Sequence, residues 1–202
     1  SSLDHPFGYD ASVAVEDARE KIANAVGARH DEIVFTSGAT ESDNIALLGT
    51  MQKYADKGNH LITCVTEHKA ILDTAKHLES LGKKVTYLSV NEFGEINLKE
   101  LEDAITSDTV MISIMMANNE IGTIQDVKAI GEIAHRHDVI FHTDAAQAVG
   151  HIPVNVEEMS IDLMSFSAHK MYGPKGIGAL YVRGVKPRVK PDGLFYGGGQ
   201  ER

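Results

Sequence analysis

The sequence predicts an α/β fold: a mostly parallel, seven-stranded sheet between helices. Three observations predict it. Short apolar strand segments alternate with amphipathic helical segments along the chain. Several strand segments are apolar at every position, which calls for helical cover on both faces. And 202 residues with 43% hydrophobic content suffice for one sizeable core.

The elements follow in order. Residues ~11–26 have helical spacing, with Val15, Ala18, Ile22 and Ala25 on one face. Ile33-Val34-Phe35-Thr36 is a short strand. A helix runs from Thr40 to about Ala55, with Ile45, Leu48, Met51 and Ala55 on its stripe. His60 to Val65 is a strand and ~69–81 a helix. Val85 to Val90 is a strand closed by the turn Asn91-Glu92-Phe93-Gly94, and ~97–106 is a helix. Thr109 to Met115 is a strand of almost wholly apolar character. Asp126 caps a helix that carries Val127, Ile130, Ile133 and Ala134. Val139 to His142 is the next strand, and strands at ~162–166 and ~178–183 finish the sheet.

Composition narrows the function classes. A formal net charge of −10 argues against a nucleic-acid or membrane-surface binder. No apolar run reaches the length of a membrane span. Cys64 is the single cysteine, so no intramolecular disulfide can form; that fits a reducing, cytoplasmic setting. Ser1-Ser2-Leu3-Asp4-His5 does not read as a signal peptide, and without a starting Met the chain is expected to be processed or a fragment. Pro, Gly and basic residues accumulate after Arg183, and 184–202 reads as a linker leaving the domain. Arg183, Lys186, Arg188 and Lys190 form a basic cluster in an acidic chain. It reads either as a docking surface for an acidic protein or as a charge-protected edge strand.

Ligands in open α/β sheets bind outside the carboxyl ends of the strands, and the chemistry-bearing motifs fall there. Asp162-Leu163-Met164-Ser165-Phe166-Ser167 is a buried strand running into Ala168-His169-Lys170. A lysine at such a strand end is expected to be desolvated, which makes it a nucleophile toward carbonyls. Ser167 and His169 are suited to hold an anion beside it. A lysine with an anion site is what pyridoxal phosphate (PLP), an aldehyde carrying a phosphate, requires. Thr36-Ser37-Gly38-Ala39-Thr40-Glu41-Ser42 opens a helix and is either a capped helix start or a phosphate cradle. It lacks Gly-Lys-Ser/Thr, so it is not a nucleotide P-loop. His68, in Thr66-Glu67-His68-Lys69, is either a loop histidine or a ring that lies on an aromatic cofactor. Asn118 and Asn119 either shape a turn or bind a ligand. Asp144 either caps a helix or pairs with a protonated ring nitrogen, with Gln147 in reach of a ring hydroxyl. No residue is assigned to a metal.

The chain resembles the large domain of NifS/IscS-type cysteine desulfurases, fold-type I PLP enzymes. The marks are F-T-S-G-A-T-E-S-D-N at 35–44, E-H-K-A at 67–70, A-N-N-E-I-G at 117–122 and H-T-D-A-A-Q at 142–147. They continue with S-F-S-A-H-K-M-Y-G-P-K-G-I-G-A-L-Y-V-R at 165–183 and G-G-G-Q-E-R at 197–202. The resemblance covers nearly the whole chain and implies a PLP-binding large domain over 1–202 with its last strand antiparallel. It implies that Lys170 attaches the cofactor and moves protons. His68 would stack on the ring as acid/base, and Asp144 would pair with the ring nitrogen. Gln147 would bond the ring hydroxyl with Asn119 near it, while Ala39 (through its backbone), Thr40, Ser167 and His169 would hold the phosphate. A histidine at 68, where aminotransferases of this fold usually carry an aromatic residue, favours the desulfurase branch over a class V aminotransferase.

The implied reaction takes sulfur from L-cysteine, leaving L-alanine and an enzyme persulfide. The implied partners are a second copy of the chain, as a homodimer, and iron–sulfur scaffold or other sulfur acceptor proteins. Set against the resemblance, the 202 residues are expected to lack the family's N-terminal segment and its small C-terminal domain, which in the family carries the nucleophilic cysteine and an arginine for the substrate carboxylate. Cys64 lies inside an apolar strand and is expected to be a buried, inert thiol. This chain alone is therefore expected to be inactive. The readings left beside this one are a class V aminotransferase or selenocysteine lyase, and a non-catalytic PLP-binding or dimerisation module.

Overall fold

Strand alternation places successive side chains on opposite faces of a sheet, and here both faces are apolar. The computed structural model describes residues 6–197 and 201. Its seven strands are β1 Ile33–Thr36, β2 His60–Cys64, β3 Lys84–Leu88, β4 Thr109–Ser113, β5 Ile140–Asp144, β6 Leu163–Ser167 and β7 Gly178–Val182. They form one sheet in the order β1-β7-β6-β5-β4-β2-β3. β7 is antiparallel to both neighbours, β1 and β6, while the pairs from β6 through β3 are parallel. The expected sheet, with its last strand antiparallel, is the sheet observed.

Leu61, Met111, Ile140, Leu163 and Leu180 point to one face and pack with Ala46, Leu47, Met51, Ile71, Ala75 and Leu78. Those partners come from the helical stretch α2 Ala39–Asn44 to α3 Thr50–Lys53 and from α4 Lys69–Ser80. The neighbouring residues Ile62, Ile112, Phe141, Met164 and Tyr181 point to the other face. There they meet α1 Pro6–Val26, α5 Leu98–Ala104 and α6 Val127–Arg136. Asn97 caps α5 with its side-chain oxygen, and Asp126 caps α6 by accepting from Ala129 N at 3.1 Å.

Two helix stripes differ from expectation. In α1 the described buried positions are Gly8, Arg19, Ala23 and Val26; of the expected stripe Ile22 is half-buried, whereas Val15, Ala18 and Ala25 are exposed. The cause is a charged residue on the inner face. Arg19 donates to the Ile33 carbonyl at 2.6 Å, pairs with Glu201 and stacks 4.7 Å over the Phe35 ring. A hydrophobic pattern cannot register a guanidinium that is satisfied this way. The second helix is interrupted by a π-helical segment, Ile45–Gly49. The wider turn moves Ala46 and Leu47 into the core and leaves Ile45 and Leu48 half-buried, while Ala55 is exposed beyond the helix end at Lys53. At Gly49 the tail crosses the helix: Asp192 N donates to the Gly49 carbonyl at 3.1 Å, and a Cβ on Gly49 would collide with the Asp192 backbone.

The tail after β7 is a loop that packs back on the domain. Residues 184–197 form no helix or strand, yet Val189 is buried and Lys190 N donates to the Tyr54 hydroxyl at 3.1 Å. Arg183 does not belong to a surface cluster. It is buried, donating to the Ile161 and Val156 carbonyls and pairing with Glu157 and Asp162. Nor is β7 an edge strand, since β1 covers it. Asp162 completes this joint, accepting from Phe141 N at 2.9 Å and lying 3.0 Å from His135 Nε2. It thereby ties β5, β6, β7 and α6 at the end of the sheet opposite the cavity described next.

Candidate active site

The strand ends open into a cavity of about 480 Å³. Its walls come from segments far apart in sequence, each following a strand. After β1, Ser37, Gly38, Ala39 and Thr40 form one wall at the start of α2. Ala39 and Thr40 open a helix, so their N–H groups have no intrahelical acceptor. Glu41 locks this turn, accepting from Ser37 N at 2.6 Å and Ser37 Oγ at 2.5 Å. Glu41 was absent from the candidates, although a glutamate in the first turn of a predicted helix is the usual signal for such a lock.

After β2, His68 caps α4: its Nδ1 accepts from Ala70 N at 3.1 Å. That bond uses the Nδ1 lone pair, so the neutral ring carries its proton on Nε2. After β4, the two asparagines divide the roles left open above. Asn118 builds the turn, donating to Thr66 O at 2.9 Å and accepting from Glu120 N and Ile121 N. Asn119 is exposed and lines the cavity. At the end of β5, Asp144 forms part of the floor with Gln147 beside it. Asp144 is 5% exposed, and one of its oxygens accepts from Ala146 N at 2.9 Å. Burial raises its pKa; the Ala146 N–H and His68 oppose that shift. Among the described residues no cation forms an ion pair with it.

After β6 the chain makes a 3-10 turn, Ala168–Lys170, rather than continuing the strand. Lys170 is therefore exposed at the cavity mouth, not desolvated at a strand end as expected. Its carbonyl accepts from His151 Nε2 at 2.7 Å, which anchors the turn. Ser167 Oγ and His169 Nδ1 lie 2.7 Å apart, so the two anion candidates pair with each other. Both border the cavity, as does Lys175 on the loop before β7. Of the candidates named from sequence, Ala39, Thr40, His68, Asn119, Asp144, Gln147, Ser167, His169 and Lys170 line this one cavity, and Asn118 does not.

Three buried groups beneath the floor were not candidates. Glu67 accepts from Met115 N at 2.7 Å and from the Cys64 thiol at 3.4 Å, while its other oxygen has no partner. Burial pushes its pKa up to about 8. Asp43 is fully buried on α2 with both oxygens unpartnered. His142 bridges Ser113 and Ser165 at 2.8 and 2.9 Å, and burial depresses its pKa to about 3. Cys64 is buried as expected, its thiol pushed up to about 12 by burial and by Glu67.

The aminotransferase class-V family profile matches residues 1–201. The chain is 57% identical over 202 residues to "Cysteine desulfurase IscS" of Histophilus somni (strain 2336), covering 100% of this chain and 50% of that protein. It is 58% identical over 202 residues to the protein of the same name from Neisseria meningitidis serogroup C, again over 100% of this chain and 50% of the relative. Among solved structures, "SspA in complex with cysteine" superposes with a TM-score of 0.94 at 46% identity, over 98% of this chain and 57% of that one. "NIFS-LIKE PROTEIN" gives 0.93 at 42% identity, over 98% and 54%. The chain spans about half the length of the curated relatives it matches.

Proposed function

The chain belongs to the aminotransferase class-V family, and from that premise we propose that it is the cofactor-binding large domain of a PLP-dependent cysteine desulfurase. The observation that carries this reading is the convergence of the candidate residues on one cavity at the strand ends. The cavity suits the cofactor on three counts. Asp144 is a buried carboxylate without a cationic partner among the described residues, suited to a protonated ring nitrogen. The start of α2 offers free backbone N–H groups to a phosphate. Lys170 stands at the mouth with its ammonium unpaired among the described residues.

Bound PLP supplies an electron sink that makes the Cα proton of an amino acid acidic. The chain's own residues divide the remaining work. Lys170 attaches the cofactor and carries protons at Nζ. His68 presents a ring whose Nδ1 is held by Ala70 N, leaving Nε2 to exchange a proton with substrate. Asp144 keeps the ring nitrogen protonated, and Gln147 and Asn119 orient the ring and substrate. Ala39, Thr40, Ser167 and His169 hold the phosphate.

The substrate in this reading is L-cysteine, and the sulfur passes to iron–sulfur scaffold or thiolation proteins in the cytoplasm. The working unit is a homodimer, and residues 184–202 lead from this domain into a small one. Cys64 is unsuited to take the sulfur, because its thiol is buried and its thiolate disfavoured. The nucleophile therefore comes from outside these 202 residues.

PLP titrated into the chain is expected to produce a saturable near-visible absorbance band. The Asp144→Asn chain should bind PLP but with an altered band and altered pH dependence. Absence of a saturable band in the folded wild-type chain would overturn the reading. An unaltered spectrum in Asp144→Asn would reduce Asp144 to a turn cap.

A further inference from the structure

The face of the sheet covered by α2–α4 changes character along the strands. Near the strand starts it is apolar, with Leu61, Met111, Ile140 and Leu163. Two residues further along each strand the same face carries Thr63, Ser113, His142 and Ser165, all buried. At the end of β5 it carries Asp144, on the cavity floor. Asp43 descends onto this polar layer from α2, one turn after Ala39 and Thr40.

Asp43 has no ordinary use there. It is 0% exposed, and among the described residues neither carboxyl oxygen has a partner within hydrogen-bond geometry. From β5, His142 Nε2 approaches one oxygen at 3.7 Å, too long for a hydrogen bond, and is already engaged 2.9 Å from Ser165 Oγ. His142 is itself fully buried between two hydroxyls and held neutral there. From β6, the Ser165 hydroxyl, near enough to favour a charged Asp43 as a hydrogen-bond donor but outside hydrogen-bond geometry and already shared with His142, is among the described residues the one group that does so. Asp144 on β5 and Glu67 just ahead of α4 both oppose that charge.

An ionised, unpaired carboxylate in such a place is strongly disfavoured. Two neighbouring acids in a dry region do not ionise together; the better-solvated one yields its proton first. Asp144 has a backbone donor, His68 nearby and access to the cavity; Asp43 has none of these.

We propose that Asp43 is a proton-bearing positioning residue: held neutral between α2 and the sheet, it leaves Asp144 as the ionised member of the pair facing the cavity. Its proton suppresses a competing negative charge that would otherwise drive Asp144 to protonate and lose its grip on a cation. The link to function rests on the cofactor reading of Asp144. The protonation pattern does not, and it is measured without cofactor.

The test is carbon-13 NMR of the side-chain carboxyls in the cofactor-free 202-residue chain, assigned by Asp43→Asn and Asp144→Asn or, if a variant does not fold, through the wild-type backbone. Near pH 7 the Asp43 carboxyl is expected at the shift of a protonated acid and Asp144 at that of a carboxylate. The reverse assignment, or an ionised Asp43, overturns the proposal. A second readout separates charge from packing. Folding must keep a proton on Asp43 that the unfolded chain releases above its ordinary pKa of 3.8, so wild-type stability falls as pH rises above that value. The unfolding midpoint of Asp43→Asn relative to wild type should therefore rise by an increasing margin from about pH 5 to about pH 8. A pH-independent difference, or one that shrinks with pH, contradicts it.

Discussion

The two faces of the sheet are built from the same strands with opposite outcomes. On the α1/α5/α6 face the residues run Ile62 and Cys64, Ile112 and Ile114, Phe141, Met164 and Phe166, all buried in one apolar cluster. On the α2/α4 face the same alternation begins with leucine, methionine and isoleucine and ends in serine, histidine and aspartate. The first face supplies the burial that holds the sheet. The second uses that rigidity to hold polar groups at fixed positions under a cavity, where each unsatisfied atom costs stability. The lesson is a division of labour by strand parity, one residue apart, which a shift of one position in register would destroy.

Substitutions break this comparison in graded ways. The largest effect is expected at the joint that fixes the strands. Asp162→Ala leaves Arg183 buried without its carboxylate, and such a loss costs about 3–5 kcal/mol. Urea unfolding of the variant checks it, and a change below about 1 kcal/mol would mean Glu157 alone satisfies Arg183. On the apolar face, Phe141→Ala is expected to cost about 3–5 kcal/mol through lost burial and a cavity. PLP affinity per folded molecule should stay within about twofold, since Phe141 points away from the cavity. Weaker binding by the folded variant would show that the two faces are not separable.

The buried acids near the strand ends respond to pH instead. Burial raises the Glu67 pKa from 4.5 to about 8, so folding favours its neutral form. That contribution is present in full below pH 4.5 and is lost as pH rises, with the loss complete above about 8. Glu67→Gln removes this dependence. Its stability relative to wild type should improve between pH 5 and pH 8, as read from thermal midpoints, and a constant difference would mean Glu67 is ionised in the fold. The smallest effect on stability is expected at the cavity mouth. Lys170→Ala removes an exposed side chain and should change unfolding by no more than about 0.5 kcal/mol.

The sequence read well where one force decided the outcome. All the strands were legible, because apolar runs between turn signals have few alternatives, and the cavity residues were legible because strand ends are where such sheets bind ligands. It read poorly where a polar group is buried. Arg19 displaces the stripe of α1 because the Ile33 carbonyl and the Glu201 carboxylate, two of the groups that satisfy it, are distant in sequence. Arg183 looked like part of a surface cluster for the same reason. Asp43 and Glu67 stood inside quoted motifs yet passed as ordinary polar residues, since only the folded chain shows that both lie under the floor of the cavity. Lys170 was placed correctly beside Ser167 and His169, but the turn that exposes it is a matter of backbone geometry that composition does not carry. The G-G-G-Q-E-R motif and the first five residues lie largely or wholly outside the described residues.

The central claim is that the cavity holds PLP on Lys170, and borohydride trapping measures this directly. The chain is loaded with PLP, reduced, digested, and its peptides weighed. One pyridoxyl group per chain is expected, located on Lys170 and absent from Lys170→Ala. An adduct on Lys175, the other lysine at the cavity, or one retained in Lys170→Ala, would contradict the account.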